Sequence, residues 1–156
     1  MNIAFFLIPK NEVVYLPIKC TMRQALEKME YHRYTAIPLI DENGRYAGTL
    51  TEGDLLWKMK NSPGLTFEGT ERVLLREVPR RTQNAPVRIN AQIEDLLSLA
   101  MIQNFVPVVD DHDIFIGIIR RREIIEYYAG ASAAAKNAKI PLRVMPQNAA
   151  PYSKSV

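Results

Sequence analysis

Cysteine is almost missing from this 156-residue sequence: Cys20 stands alone. That excludes an intrachain disulfide and a cysteine-based metal cluster. With only Lys19 as a basic neighbour, Cys20 reads as a small buried residue rather than a nucleophile. Histidine is nearly as scarce, and His32 and His112 are read as surface residues rather than metal ligands. Long apolar runs are missing too. The stretch Ile3 to Ile8 is too short for a membrane span or a signal core, and no basic segment follows Met1. A cytoplasmic, reducing compartment is therefore expected. Neither sign of charge dominates, with 20 Lys and Arg against 17 Asp and Glu for a net +3. A pI of about 9.0 still leaves room for an anionic ligand. No nucleophile–base set and no glycine-rich phosphate loop is present, so catalysis is not expected.

What is present is an ordinary globular composition, 47% hydrophobic and 24% charged, and an internal repeat. The segment Thr35 to Leu50 aligns without a gap on Asn104 to Ile119. Pro38, Asp41 and Gly48 match Pro107, Asp110 and Gly117 at an offset of 69. Each segment reads as strand, tight turn, strand, with Asn-Gly or His-Asp at the turn. Upstream, Met22, Ala25, Leu26 and Met29 share a helical phase with Ile93, Leu96, Leu97 and Ala100. Thr21 and Gln24 form a capping-box start. These helices match at an offset of 71, so the second copy is two residues shorter between helix and central strand. Second helices are expected over 54–60 and 123–128, and first strands over 13–18 and 86–89. The expected organisation is an N-terminal segment and first repeat over 1–60 and a connector over 61–85, with a possible short helix at 71–77. A second repeat over 86–129 and a C-terminal tail over 130–156 complete it. One β-α-β-β-α unit cannot cover both faces of its sheet, so the two copies should pack together in an α/β (α+β) fold.

The doubled pattern, with Gly48-Thr-Leu-Thr-Glu-Gly-Asp54 after the first hairpin, resembles the CBS repeat over roughly residues 11 to 128. Tyr34-Thr-Ala-Ile-Pro38 and Phe115-Ile-Gly-Ile-Ile-Arg-Arg-Arg122 are most similar to small stand-alone bacterial CBS proteins that bind cyclic di-AMP or AMP. The resemblance implies two repeats packed through their sheets about a pseudo-two-fold axis, with two clefts between them. It also implies a homodimer, an adenine nucleotide such as AMP, ADP, ATP or cyclic di-AMP as ligand, no catalytic cofactor, and regulation of a protein partner.

The residues themselves suit such a ligand. A nucleotide needs an apolar slot with backbone donors and acceptors, hydroxyl partners and positive charge. Tyr34, Thr35, Ala36, Ile37 and Pro38, together with Val14, are the candidate base site. The proline donates no hydrogen bond and leaves neighbouring backbone groups available. Thr51 and Asp54 at a helix start are candidates for the ribose, although both are also favoured caps. Arg121 and Arg122 are candidates for phosphate. With Arg120 they place three cations at a helix N-terminus, against the macrodipole. Arg120 and Glu123 stand in the second copy where the first has Thr51 and Asp54, so one complete cleft per chain, or one shared across a dimer, is expected. Trp57 is expected at a helix interface. The rival readings are a dimerisation module without ligand and a nucleic-acid binder using Arg72, Arg76, Arg80, Arg81, Arg88 and Arg120 to Arg122; against the latter, no aromatics interleave with these charges.

Overall fold

A computed structural model describes residues 1–136. In chain order the elements are β1 (Ile8–Pro9), β2 (Leu16–Pro17), α1 (Met22–His32), β3 (Ala36–Ile40), β4 (Tyr46–Thr51) and α2 (Glu52–Lys60). Then come β5 (Val87–Arg88), α3 (Leu97–Ala100, entered through a 3-10 turn Ile93–Leu96), β6 (Phe105–Val109), β7 (Phe115–Arg120) and α4 (Arg121–Lys136). One sheet has the order β2-β3-β4 and the other β1-β7-β6-β5. Within each, the short first strand runs parallel to the central one and the hairpin is antiparallel.

Strand alternation divides each sheet into a core face and a facing-repeat face. Ile37 and Leu39 of β3 are fully buried with Met22, Ala25, Leu50 and Leu55. Val106 and Val108 of β6 are buried with Ile93, Leu96, Ile119 and Ile124. The hairpin turns repeat one another bond for bond. Asp41 Oδ1 accepts from the Asn43 and Arg45 N–H groups, and Asp110 Oδ1 accepts from His112 and Ile114. Gly44 and Asp113, at the same place in each turn, both have positive φ, at 80° and 63°, a conformation glycine and aspartate tolerate.

The two repeats meet at these turns. Arg45 bridges Ile114, its counterpart at the offset of 69, and the Phe115 N–H donates to Gly44 C=O at 2.9 Å. The Tyr46 and Phe115 rings, also counterparts, stack at 6.4 Å. Contacts between equivalent residues mark a pseudo-two-fold axis at this point. The N-terminal segment crosses to the second repeat, with β1 pairing with β7 and Ile3 fully buried in the second core. The connector does the same for the first repeat, burying Leu75 and Val78 in the first core. So each repeat is completed by the chain that precedes the other repeat's first strand.

Several boundaries differ from expectation. The first strands shrink to two residues each. The stretch over 71–77 forms two 3-10 turns, Glu68–Arg72 and Leu75–Glu77, rather than one helix. The second helices begin at Glu52 and Arg121, earlier than expected, and α4 runs past 129 to Lys136. The remainder of the expected tail, from residue 137, lies outside the described residues. The two-residue shortening falls where the offsets placed it: α1 has 11 residues, whereas its counterpart is one 3-10 turn followed by four α-helical residues.

Candidate functional site

A cleft of about 460 Å³ opens between the repeats, within the roughly 300–1,000 Å³ range of small-molecule sites. One wall comes from the first repeat: Val14 ahead of β2, Tyr34 ahead of β3, and Ala36 and Pro38 on the outer face of β3. The other comes from the second repeat: Asn104, Phe105, Ile118 and Arg120. Ile8, Glu12 and Val13 from the N-terminal segment close one side. Ile118 and Arg120 share a face because they are two apart on β7.

The β2–β3 ladder leaves a backbone edge open in this wall. Ile18 N–H donates to Ile40 C=O at 2.9 Å. Two residues before the Leu16–Leu39 pair, the register brings Val14 opposite Ile37, its C=O towards Pro38, which has no N–H to give. Neither the N–H nor the C=O of Val14 has a hydrogen-bond partner among the described residues. Beside it, the Tyr34 side chain is 45% exposed and its ring stacks on His32 at 5.4 Å.

Four of the candidate residues, Val14, Tyr34, Ala36 and Pro38, thus share one wall. The others lie elsewhere. Ile37 points the opposite way, fully buried among the helices, so its side chain is core and not cleft, a correction that follows from strand alternation. Thr35 lines an outer groove with Leu26 and Leu55, and its C=O accepts from Glu52 N–H. Thr51 is paired opposite Ala36 and caps α2: its Oγ1 accepts from Asp54 N–H at 3.2 Å. Asp54 is 2% exposed, with Oδ2 on Thr51 N–H and Oδ1 on the N–H of Arg81 in the connector. Arg121 is drawn sideways by Gln103 C=O, 2.8 Å from its Nε, and Arg122 pairs with Glu126. Both line a shallow outer surface with Ile125.

The cation that does face the cleft is Arg120, bonded to Glu123 Oε1 at 2.9 Å through Nε. Glu123 Oε2 is buried without a partner among the described residues. With Glu126 holding Arg122, these carboxylates offset the cationic helix start. Arg120 was legible in principle: it follows Ile118 by two and stands at the offset of 69 from Thr51. The facing wall was hidden because it belongs to the other copy across the pseudo-two-fold axis.

The same axis defines a second cleft, where Ala85 replaces Val14, Gln103 replaces Tyr34, and Thr51 and Asp54 replace Arg120 and Glu123. Here the connector and Gln103 occupy the edge beside Ala85, next to a groove of about 700 Å³ lined by Gly48, Arg80, Gln83 and Asn84. Arg81 covers Asp54, Arg80 donates to Ala47 C=O at 3.2 Å, and Tyr46 Oη donates to Asn84 C=O at 2.9 Å. Burial pushes the Tyr46 hydroxyl up to about 12 despite its bond to Thr49. Cys20 is half-buried against the first core, and Trp57 is 39% exposed with Arg81 and Lys60 over its ring. Among the described residues no cluster of three His, Cys, Asp or Glu side chains can hold a metal. No helix among them is long and apolar enough to cross a membrane.

Comparison with known proteins agrees with this architecture. The chain is 25% identical over 130 residues to Cyclic di-AMP receptor B of Bacillus subtilis (strain 168), covering 80% of this chain and 84% of that protein. The crystal structure of CbpB in complex with c-di-AMP superimposes with a TM-score of 0.74 at 18% identity, covering 89% of this chain and 91% of that one. That of CBSX2 in complex with AMP gives 0.65 at 22% identity, covering 84% and 98%. The CBS domain pattern matches twice, at residues 7–61 and 75–130. A doubled β-α-β-β-α unit joined at its equivalent turns, with that pattern in both copies, makes this chain a member of the CBS domain family.

Proposed function

We propose that the chain is a non-catalytic regulatory module that binds an adenine nucleotide in the cleft between Tyr34 and Arg120 and passes its occupancy to a protein partner. The observation that carries this reading is the open backbone edge of Val14 inside that cleft. An adenine edge offers a donor and an acceptor side by side, which matches the N–H and C=O of one residue. Ala36, Pro38 and Phe105 supply apolar surface for the ring, and Tyr34 an aromatic face. Arg120, on the opposite wall, suits a phosphate through its guanidinium fork. The unpartnered Glu123 Oε2, one turn into α4, is an acceptor suited to a ribose hydroxyl. The relatives named above as a cyclic di-AMP receptor and as complexes with c-di-AMP and AMP favour the same ligand class. Dimerisation would bring two such clefts into one particle, which suits cyclic di-AMP.

The nucleic-acid reading draws less support. Arg76, Arg88 and Arg122 are each engaged with a carboxylate, so the arginines outside the cleft do not form a free basic stripe.

Isothermal titration with AMP, ADP, ATP and cyclic di-AMP tests the proposal. Saturable binding of at least one, weakened in Arg120→Ala, is the expected result. No heat and no rise in melting temperature with any of the four at millimolar concentration would overturn it.

A further inference from the structure

We infer that Gln103 is a built-in occupant of the second cleft, its carboxamide held where the edge of a nucleobase would sit, so that each chain keeps only one such backbone edge open. This rests on the nucleotide reading above for the choice of probe, and on the pseudo-symmetry for its geometry.

The two clefts share their backbone frame. Ile89 N–H donates to Val109 C=O at 3.0 Å, the counterpart of the Ile18–Ile40 bond. Two residues before the Val87–Val108 pair, Ala85 comes opposite Val106 with its C=O towards Pro107, as the C=O of Val14 lies towards Pro38. Both prolines withhold the donor that would close the ladder, so both frames present one N–H and one C=O from the same residue. At Val14 that pair is open. At Ala85 it is taken: the N–H donates to Gln103 Oε1 at 2.9 Å, and the C=O accepts from Gln103 Nε2 at 3.2 Å. A carboxamide carries its acceptor and donor side by side, as a 6-aminopurine edge does. Its second N–H reaches Phe105 C=O at 3.2 Å, so the side chain is anchored on both strands.

The exposures follow the occupancy. Gln103 is 2% exposed, while Tyr34, its counterpart at the offset of 69, is 45% exposed. Two further contacts close the second cleft. The Arg81 N–H takes an oxygen of Asp54, and Arg80 lies over Gly48, so close that a Cβ there would sit 2.9 Å from its Nε. The two-residue shortening before β6 supplies the cause. In the first repeat the longer helix ends at Arg33, with φ of 59°, and carries Tyr34 out on the surface. In the second, Gln103 N–H is still bonded to Leu99 C=O at 2.8 Å, and the side chain is directed inward.

The test compares the full chain with Gln103→Ala and with Gln103→Asn, whose shorter side chain withdraws the amide from Ala85. AMP is the probe, read by isothermal titration for stoichiometry and by amide resonances for location. Wild type should bind one AMP per chain, shifting the Val14 amide and leaving the Ala85 amide in place. Either variant should bind two, the second event shifting Ala85. If wild type binds none but a variant binds one at Ala85, the plug stands and the first-cleft reading falls. Wild type shifting both amides, or folded variants still binding one or none, would overturn the inference. Should both variants fail to fold, the wild-type titration decides alone: an Ala85 amide that moves at saturating AMP rejects a filled cleft.

Discussion

The first and second repeats share their turns down to individual hydrogen bonds, yet they part at three equivalent positions. Where the first has Tyr34, Thr51 and Asp54, the second has Gln103, Arg120 and Glu123. The first set divides between the two clefts, and so does the second. One cleft therefore receives Tyr34 with Arg120 and stays open, while the other receives Gln103 with Asp54 and is filled from within. A duplicated unit thus becomes two unlike sites through substitutions on opposite sides of one axis, with the backbone frame retained. Occupancy is decided by which side chain the frame already holds.

The equivalent glycines give the largest way to break this comparison. A Cβ at Gly117 would overlap the Ile8 carbonyl oxygen, part of the β1 backbone, and φ there is 158°. At Gly48 it would meet only the end of the Arg80 side chain, with φ of 129°. Gly117→Ala should cost about 3 kcal/mol or more by displacing β1. Gly48→Ala should cost roughly 1 kcal/mol, mostly from backbone strain. Denaturant midpoints of the two variants check this, and equal losses would mean that β1 and Arg80 close their repeats with equal rigidity.

Arg120 and Thr51 come next. Arg120→Ala should weaken AMP binding about tenfold or more, the loss of one charge-assisted bond, with a smaller loss of stability, since the Arg120 side chain is 58% exposed although its partner Glu123 is only 19% exposed. Thr51→Ala should do the reverse, lowering stability by about 1 kcal/mol through the α2 cap while AMP affinity holds. A titration in which Thr51→Ala loses affinity as much as Arg120→Ala would restore the ribose role to the first repeat's own helix start.

The smallest effect is acid sensitivity confined to the second repeat. Glu94, the counterpart of Arg23 at the offset of 71, is held down at about 2, first by the Tyr127 hydroxyl and then by the terminal amine of Met1. A depressed carboxylate stabilises the fold above its ordinary pKa of 4.5, and that contribution is lost as pH falls towards 2. Tyr127→Phe should therefore flatten part of the fall in melting temperature across that window. Parallel wild-type and variant curves through it would assign the acid response to other groups.

Much of this was legible in residue order. Pro38 with Pro107, Gly48 with Gly117 and the two turn aspartates announced the duplication, whereas Ile37, read as a base-site residue, lies in the first core. Residue types at the site were also legible, in Tyr34, Ala36, Pro38 and the arginine run. Their grouping was not. Tyr34 to Pro38 and Thr51 to Asp54 are close in sequence and lie in one repeat, so they read as one site, whereas the axis sends each to a different cleft. Gln103 carried no signal of its own, because a lone glutamine before a strand is unremarkable until its amide is seen on Ala85.

Sequence alone determined the repeat, its strand and helix order, the turn chemistry and the missing N–H at each proline, because these depend on residue type and local spacing. Tertiary structure alone decided which cleft is open. That choice depends on side chains brought together from opposite repeats by a two-fold packing, and on a two-residue difference that directs Tyr34 outward and Gln103 inward.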